Sequence, residues 1–159
     1  MVAEQQTGDE LADLLTPRSV VAQLRTPSKR QVLQELARRA ATMTGIPEKR
    51  IYDALAEREK LGTTGIGAGI AIPHCRLNEL SRIYGMFARL ERPVPFEAID
   101  DQPVDLVFLL LAPAAAGAEH LKALARVSRL LRDRAMCEKL RGANSADALY
   151  ALLTGGAAG

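Results

Sequence analysis

Residues 62–74 read Gly62-Thr63-Thr64-Gly65-Ile66-Gly67-Ala68-Gly69-Ile70-Ala71-Ile72-Pro73-His74. The stretch is rich in glycine, turns apolar, meets a proline and delivers a histidine. Glycine tolerates positive φ and lets other groups approach the backbone. Ile70, Ala71 and Ile72 predict a short buried strand bounded by breakers, and Pro73 fixes φ and ends it. His74 is thereby expected at a rigid strand end, beside a loop with free backbone N–H groups. Such a loop suits an anion and a neutral imidazole suits a nucleophile. Together they point to a histidine that carries a phosphoryl group. A lone histidine after a strand is more often a packing or surface residue than a catalytic one. Two nucleotide-binding alternatives fail on spacing. A dinucleotide fingerprint would need glycine where Ile70 stands, and the segment meets Pro73 instead of a helix. A P-loop would need Gly-Lys-Ser/Thr, which does not follow.

Working outward, Pro47 is expected to open a helix carrying Ile51, Ala54, Leu55 and Leu61 on its inner face, with Gly62 as its stop. Before it, Ser28 is an N-cap candidate for a helix with Val32, Leu33, Leu36, Ala37, Ala40 and Ala41, ending near Gly45. Residues 19–25 suggest a strand, and Glu10 to Leu15 a short helix stopped by Pro17. After His74, Ile83 to Leu90 is a second apolar run, broken by Pro93 and Pro95. Val104 to Leu111 is a β-rich run ended by Pro113. A helix begins near Ala118 with Leu121, Leu124, Val127 and Leu131 in phase. Further turns run to Gly142, and Ser145 caps a last helix with Leu149 and Leu153. Helices before, between and after strands predict one α/β domain around a central sheet.

The chain has 159 residues, 48% apolar and 25% charged, with a net charge of +2. That is an ordinary globular composition, and it makes no case for bulk nucleic-acid binding. The arginine-rich faces around Arg126, Arg129, Arg132 and Arg134 fit solvated helix surfaces, or a docking surface for an acidic partner. Residues 1–9 are polar and read as a flexible tail, not a signal peptide; residues 155–159 read as a frayed end. No apolar run reaches the roughly 18 residues that span a membrane. Cys75 and Cys137, the two cysteines, are expected as reduced cytoplasmic thiols.

Three blocks, in order, carry a resemblance: Arg58-Glu59-Lys60-Leu61-Gly62 onward to Pro73-His74, Phe96-Glu97-Ala98-Ile99-Asp100-Asp101-Gln102-Pro103-Val104, and Glu119-His120-Leu121 through Leu130. Over residues 10–154 the chain resembles the fructose/mannitol-type EIIA domains of the bacterial phosphoenolpyruvate-dependent phosphotransferase system, above all the stand-alone nitrogen-regulatory branch. The resemblance implies a mixed sheet of about five strands flanked by helices. It implies phosphorylation of His74 by an HPr-like carrier, with no cofactor. It implies regulatory targets in nitrogen or potassium metabolism, among them potassium transport, sensor kinases and stringent-response enzymes. No EIIB or EIIC segment is expected. A sugar-specific EIIA passing phosphate to an EIIB domain is the alternative output.

A phosphocarrier histidine must be neutral to attack and must hold a group that can leave, and an imidazole with a pKa of about 6.5 permits both near neutrality. Donors for the phosphoryl oxygens are then required. Backbone and hydroxyl groups at Thr63, Thr64 and Gly65 are candidates, although the same residues also suit a tight connector. Arg58 suits a helix C-terminus, or a fork on the phosphoryl group; the resemblance favours the fork. His120, near a helix start, would by itself be a capping or surface histidine, and the resemblance makes it an orienting partner of His74. Relatives usually carry Gly-Lys after the histidine, where this chain has Cys75 and Arg76. The surface around His74 reads as mainly glycine and apolar. A metal module built on His74, Cys75, His120 and Cys137 is a competitor without paired ligand spacing.

Overall fold

The computed structural model describes residues 11–155. The expected N-terminal tail lies outside them, as does the expected frayed end beyond Gly155.

Six strands form one mixed sheet among these residues: β1 (Val20–Leu24), β2 (Gly65–Gly67), β3 (Ile70–Ala71), β4 (His74–Leu77), β5 (Tyr84–Val94) and β6 (Val104–Pro113). The order is β1-β5-β6-β3-β2, and β4 also pairs with β6, further along the edge that β3 occupies. β1 runs parallel to β5, and β3 and β4 run parallel to β6; the β5–β6 and β2–β3 pairs are antiparallel. β6 is buried on both sides, which explains its unbroken apolar run. Leu106, Phe108 and Leu110 enter one core, and Val107, Leu109 and Leu111 the other.

Among the described residues five α-helices cover the sheet. Helices α1 (Lys29–Thr44) and α2 (Glu48–Lys60) pack on the first face through Leu36, Ala37, Ala40, Ile51 and Leu55. Helices α3 (Gly117–Arg132), α4 (Arg134–Gly142) and α5 (Ala146–Thr154) cover the other through Val127, Leu131, Leu140, Leu149 and Leu153. The serine caps fall where expected. Ser28 accepts from Gln31 N–H and Ser145 from Ala148 N–H, while Gly45 and Gly155 close their helices in the left-handed region.

The structure differs from the sequence expectation at three prolines. Ahead of Pro17, residues 11–14 make a turn, not a helix, followed by a 3-10 turn at Pro17–Ser19. A residue before proline is pushed out of the helical region, and Thr16 is extended at φ −125°. Pro93 lies inside β5, at the register shift between Arg89 and Val94, where no ladder N–H is required. Pro73 does not terminate pairing. It lacks an N–H, but its carbonyl accepts from Leu110 N–H at 3.0 Å, and the chain re-enters the sheet as β4. His74 therefore opens a strand and does not close one.

Candidate active site

His74 is half-buried at the first position of β4, paired with Leu110. Its Nδ1 is 2.8 Å from the Ile72 carbonyl oxygen, and its Nε2 is 3.2 Å from Arg58 Nε. A carbonyl can only accept and a guanidinium can only donate. Nδ1 therefore carries the hydrogen, and the Nε2 lone pair faces Arg58. Burial, with the charges of Arg58 and Arg76, holds His74 below its ordinary pKa; the Ile72 hydrogen bond and Glu59 oppose this. The ring is thus neutral near pH 7. Arg58 reaches the site from the last turn of α2, and its Nη1 also donates to the Gly62 carbonyl at 2.9 Å.

His120, in the first turn of α3, lies with its ring centroid 5.6 Å from that of His74, the planes 69° apart. It is buried, neither a cap nor a surface residue. Arg76 Nε donates to its Nδ1 at 3.0 Å, so its hydrogen sits on Nε2, which is buried without a partner among the described residues. Burial, with His74 and Arg76, lowers its pKa to about 4. Thus Arg76, which stands where relatives usually carry Lys, orients the second histidine.

Thr64 and Gly65 are placed differently. The expected loop of free N–H groups is a stapled connector. Thr64 donates to the Glu59 carboxylate through its N–H at 3.2 Å and also through its hydroxyl. Gly65 N–H donates to Thr63 Oγ1 at 3.0 Å, and Ala68 N–H to Asp100 Oδ2 at 2.9 Å. These donors are already occupied, and neither Thr64 nor Gly65 lines the cleft that holds His74, Arg58 and His120. Glu59 is what the sequence left unassigned. Its side chain, only 7% exposed, also binds Lys29 at 3.0 Å, and Lys29 bridges to Glu97. The neighbouring Phe96 carbonyl accepts from Thr63 Oγ1. This network ties the end of α2 to the segment before β6. An acidic residue beside Arg58 looks like an ordinary helix-end charge; only the fold brings Lys29 and Thr64 to it.

The rim of the cleft also departs from the expected glycine and apolar surface. Arg50, Arg58 and Arg76 line it, beside Leu61, 84% exposed, and Leu121, 64% exposed. Cys75, one residue from His74 on the alternating strand, points into the first core, and burial raises its thiol pKa to about 12. Cys137 lies in the second core, its Sγ 3.1 Å from the Leu131 carbonyl. The four residues of the metal competitor therefore do not converge. Among the described residues no helix is long and apolar enough to cross a membrane.

Residues 13–155 match the family model described as phosphoenolpyruvate-dependent sugar phosphotransferase system, EIIA 2. The chain is 54% identical over 143 residues to a nitrogen regulatory protein of Bradyrhizobium diazoefficiens, covering 90% of this chain and 94% of that protein. It is 37% identical over 133 residues to a fructose-specific EIIA component of Haloferax volcanii, covering 82% and 86% of the two chains. The crystal structure of the nitrogen regulatory protein IIA-Ntr of Neisseria meningitidis superposes with a TM-score of 0.86 at 33% identity, covering 91% of this chain and 99% of that one.

Proposed function

Because the chain belongs to the EIIA 2 family of the phosphotransferase system and is of nitrogen-regulatory type, we propose that His74 Nε2 accepts a phosphoryl group from a phosphorylated HPr-like carrier. The observation that carries this is a guanidinium donor on the His74 Nε2 lone pair, with a second buried donor on the ring beside it. Arg58 stands on the Nε2 lone pair, and the unpartnered Nε2–H of His120 sits on the adjoining ring. In the transfer, the carrier's N–P bond breaks as the His74 Nε2–P bond forms. Arg58 moves from the nitrogen to the phosphoryl oxygens, where a forked guanidinium binds well, and His120 supplies a neutral donor. The Ile72 carbonyl steadies the positive charge that develops on the ring. Thr64 and Gly65 support this chemistry by fixing the connector, not by touching the phosphoryl group.

The output is regulatory. The phosphorylation state of His74 selects partner proteins in nitrogen and potassium metabolism, in the cytoplasm. Phosphorylation adds about −1.5 to −2 charge at neutral pH. A partner seated on Leu61 and Leu121 meets either the bare arginines or arginines neutralised by the phosphoryl group. Likeness to a fructose-specific EIIA component favours one second reading, in which phosphate passes to an EIIB domain. Incubation with enzyme I, carrier and phosphoenolpyruvate, then with candidate EIIB, tests both. Acid-labile label on the wild type and none on His74→Ala is expected. Label that persists in His74→Ala overturns the proposal, and onward transfer to EIIB selects the second reading.

A further inference from the structure

We infer that a second cleft, between the 11–16 turn, the end of α1 and the start of β5, binds a small multivalent anion bearing phosphate or carboxylate groups. Arg18, Arg38, Arg39 and Arg82 line it, and Asp13 is the one carboxylate among its described lining residues. That carboxylate is already held by Arg126. Arg38 and Arg39 share the single charge of Glu35. Neither Arg18 nor Arg82 has an ion pair among the described residues. The cleft thus holds more guanidinium charge than the protein neutralises, over an apolar floor of Leu14, Leu15 and Met43.

Arg82 is preorganised. Its guanidinium carbon lies 4.1 Å from the Tyr84 ring centroid, and its only hydrogen bond among the described residues, to the Ile83 carbonyl, is long at 3.5 Å. A guanidinium stacked on a ring keeps its donor edge for a planar or tetrahedral anion. Gly85 lets the turn lie against the sheet, since a Cβ there would sit 2.9 Å from the Leu14 oxygen. In the sheet, Gly85 pairs with Leu110 and Leu110 with His74. Two strand spacings, about 10 Å, therefore separate the cleft from His74, and the site does not depend on the phosphocarrier reading.

The test is an amide NMR titration of the full chain at constant ionic strength, with pyrophosphate in one arm and citrate in the other. Saturable shifts at Thr16, Thr42, Tyr84 and Gly85, at least tenfold weaker in Arg18→Ala/Arg82→Ala, are expected. The arm that binds more tightly identifies the source as phosphate or carboxylate. Shifts centred on Arg58 and Arg76, shifts spread over the whole surface, saturation in neither arm, or affinity unchanged in the double variant would each overturn the proposal. If the alanine variant fails to fold, Arg18→Gln/Arg82→Gln replaces it.

Discussion

Arg58 Nε stands 3.2 Å from His74 Nε2, on the one ring nitrogen that the Ile72 carbonyl leaves without a hydrogen. Two residues before the histidine, a backbone oxygen selects the tautomer; sixteen residues before it, a helix end supplies the cation. The imidazole and the guanidinium that faces it are thus positioned by separate elements, β4 with its approach and α2.

Arg58→Ala is expected to slow transfer to His74 by about 10²–10³-fold, the usual cost of losing one charge-stabilising donor. Arg58→Lys should recover only part of this, since a point charge cannot fork. The Arg58→Ala variant should also raise the pKa of His74, because Arg58 lowers it. Rapid-quench kinetics with a ¹⁵N-histidine titration check both.

His120 makes stability depend on pH. Held at about 4 when folded and near 6.5 when unfolded, it binds more protons in the unfolded chain. Its contribution is whole above pH 6.5 and is lost as pH falls toward 4. The loss is about 3 kcal/mol. His74, also lowered, acts in the same direction. Urea unfolding at pH 7, 5.5 and 4.5 should show His120→Gln losing less stability across the series than the wild type.

Glu59→Gln should keep an acceptor for Thr64 N–H but lose the ion pair with Lys29. With the connector loosened, transfer is expected to fall by about tenfold, on the scale at which small misplacements cost rate. The pKa of His74 should fall as well, because Glu59 raises it. Adding Lys29→Met removes a part-buried cation left with only the exposed Glu97 as partner, so the double variant should be more stable than the sum of the singles. Melting temperatures across the cycle measure this.

Two glycines should respond in opposite ways to alanine. At Gly65 a Cβ would lie 2.9 Å from Ala98 Cα and Cβ, whereas at Gly142 nothing lies within 4 Å. Gly65→Ala should cost about 1–3 kcal/mol through overpacking. Gly142→Ala, at a helical position, should be neutral or gain up to about 1 kcal/mol. Chemical denaturation of both variants distinguishes them.

The sequence by itself determined the α/β class and the helix caps, and it singled out His74, on which the proposed function rests. Periodicity, capping serines and glycine stops are local signals, and Ser28, Gly45 and Ser145 act where they stand in the chain. The resemblance carried Arg58 and His120 to the site, and the fold brings them to His74. Tertiary structure alone decided what depends on distant partners. Pro73 interrupts the sheet without ending it because β6 offers Leu110 N–H to its carbonyl. Thr64 and Gly65 hold the connector because Glu59, Lys29 and Ala98 meet there from three segments. Cys75 is buried in the first core because strand alternation turns it to the face opposite His74. Partners such as Lys29, Ala98 and Leu110 lie tens of residues from the segments they hold, where no spacing rule reaches.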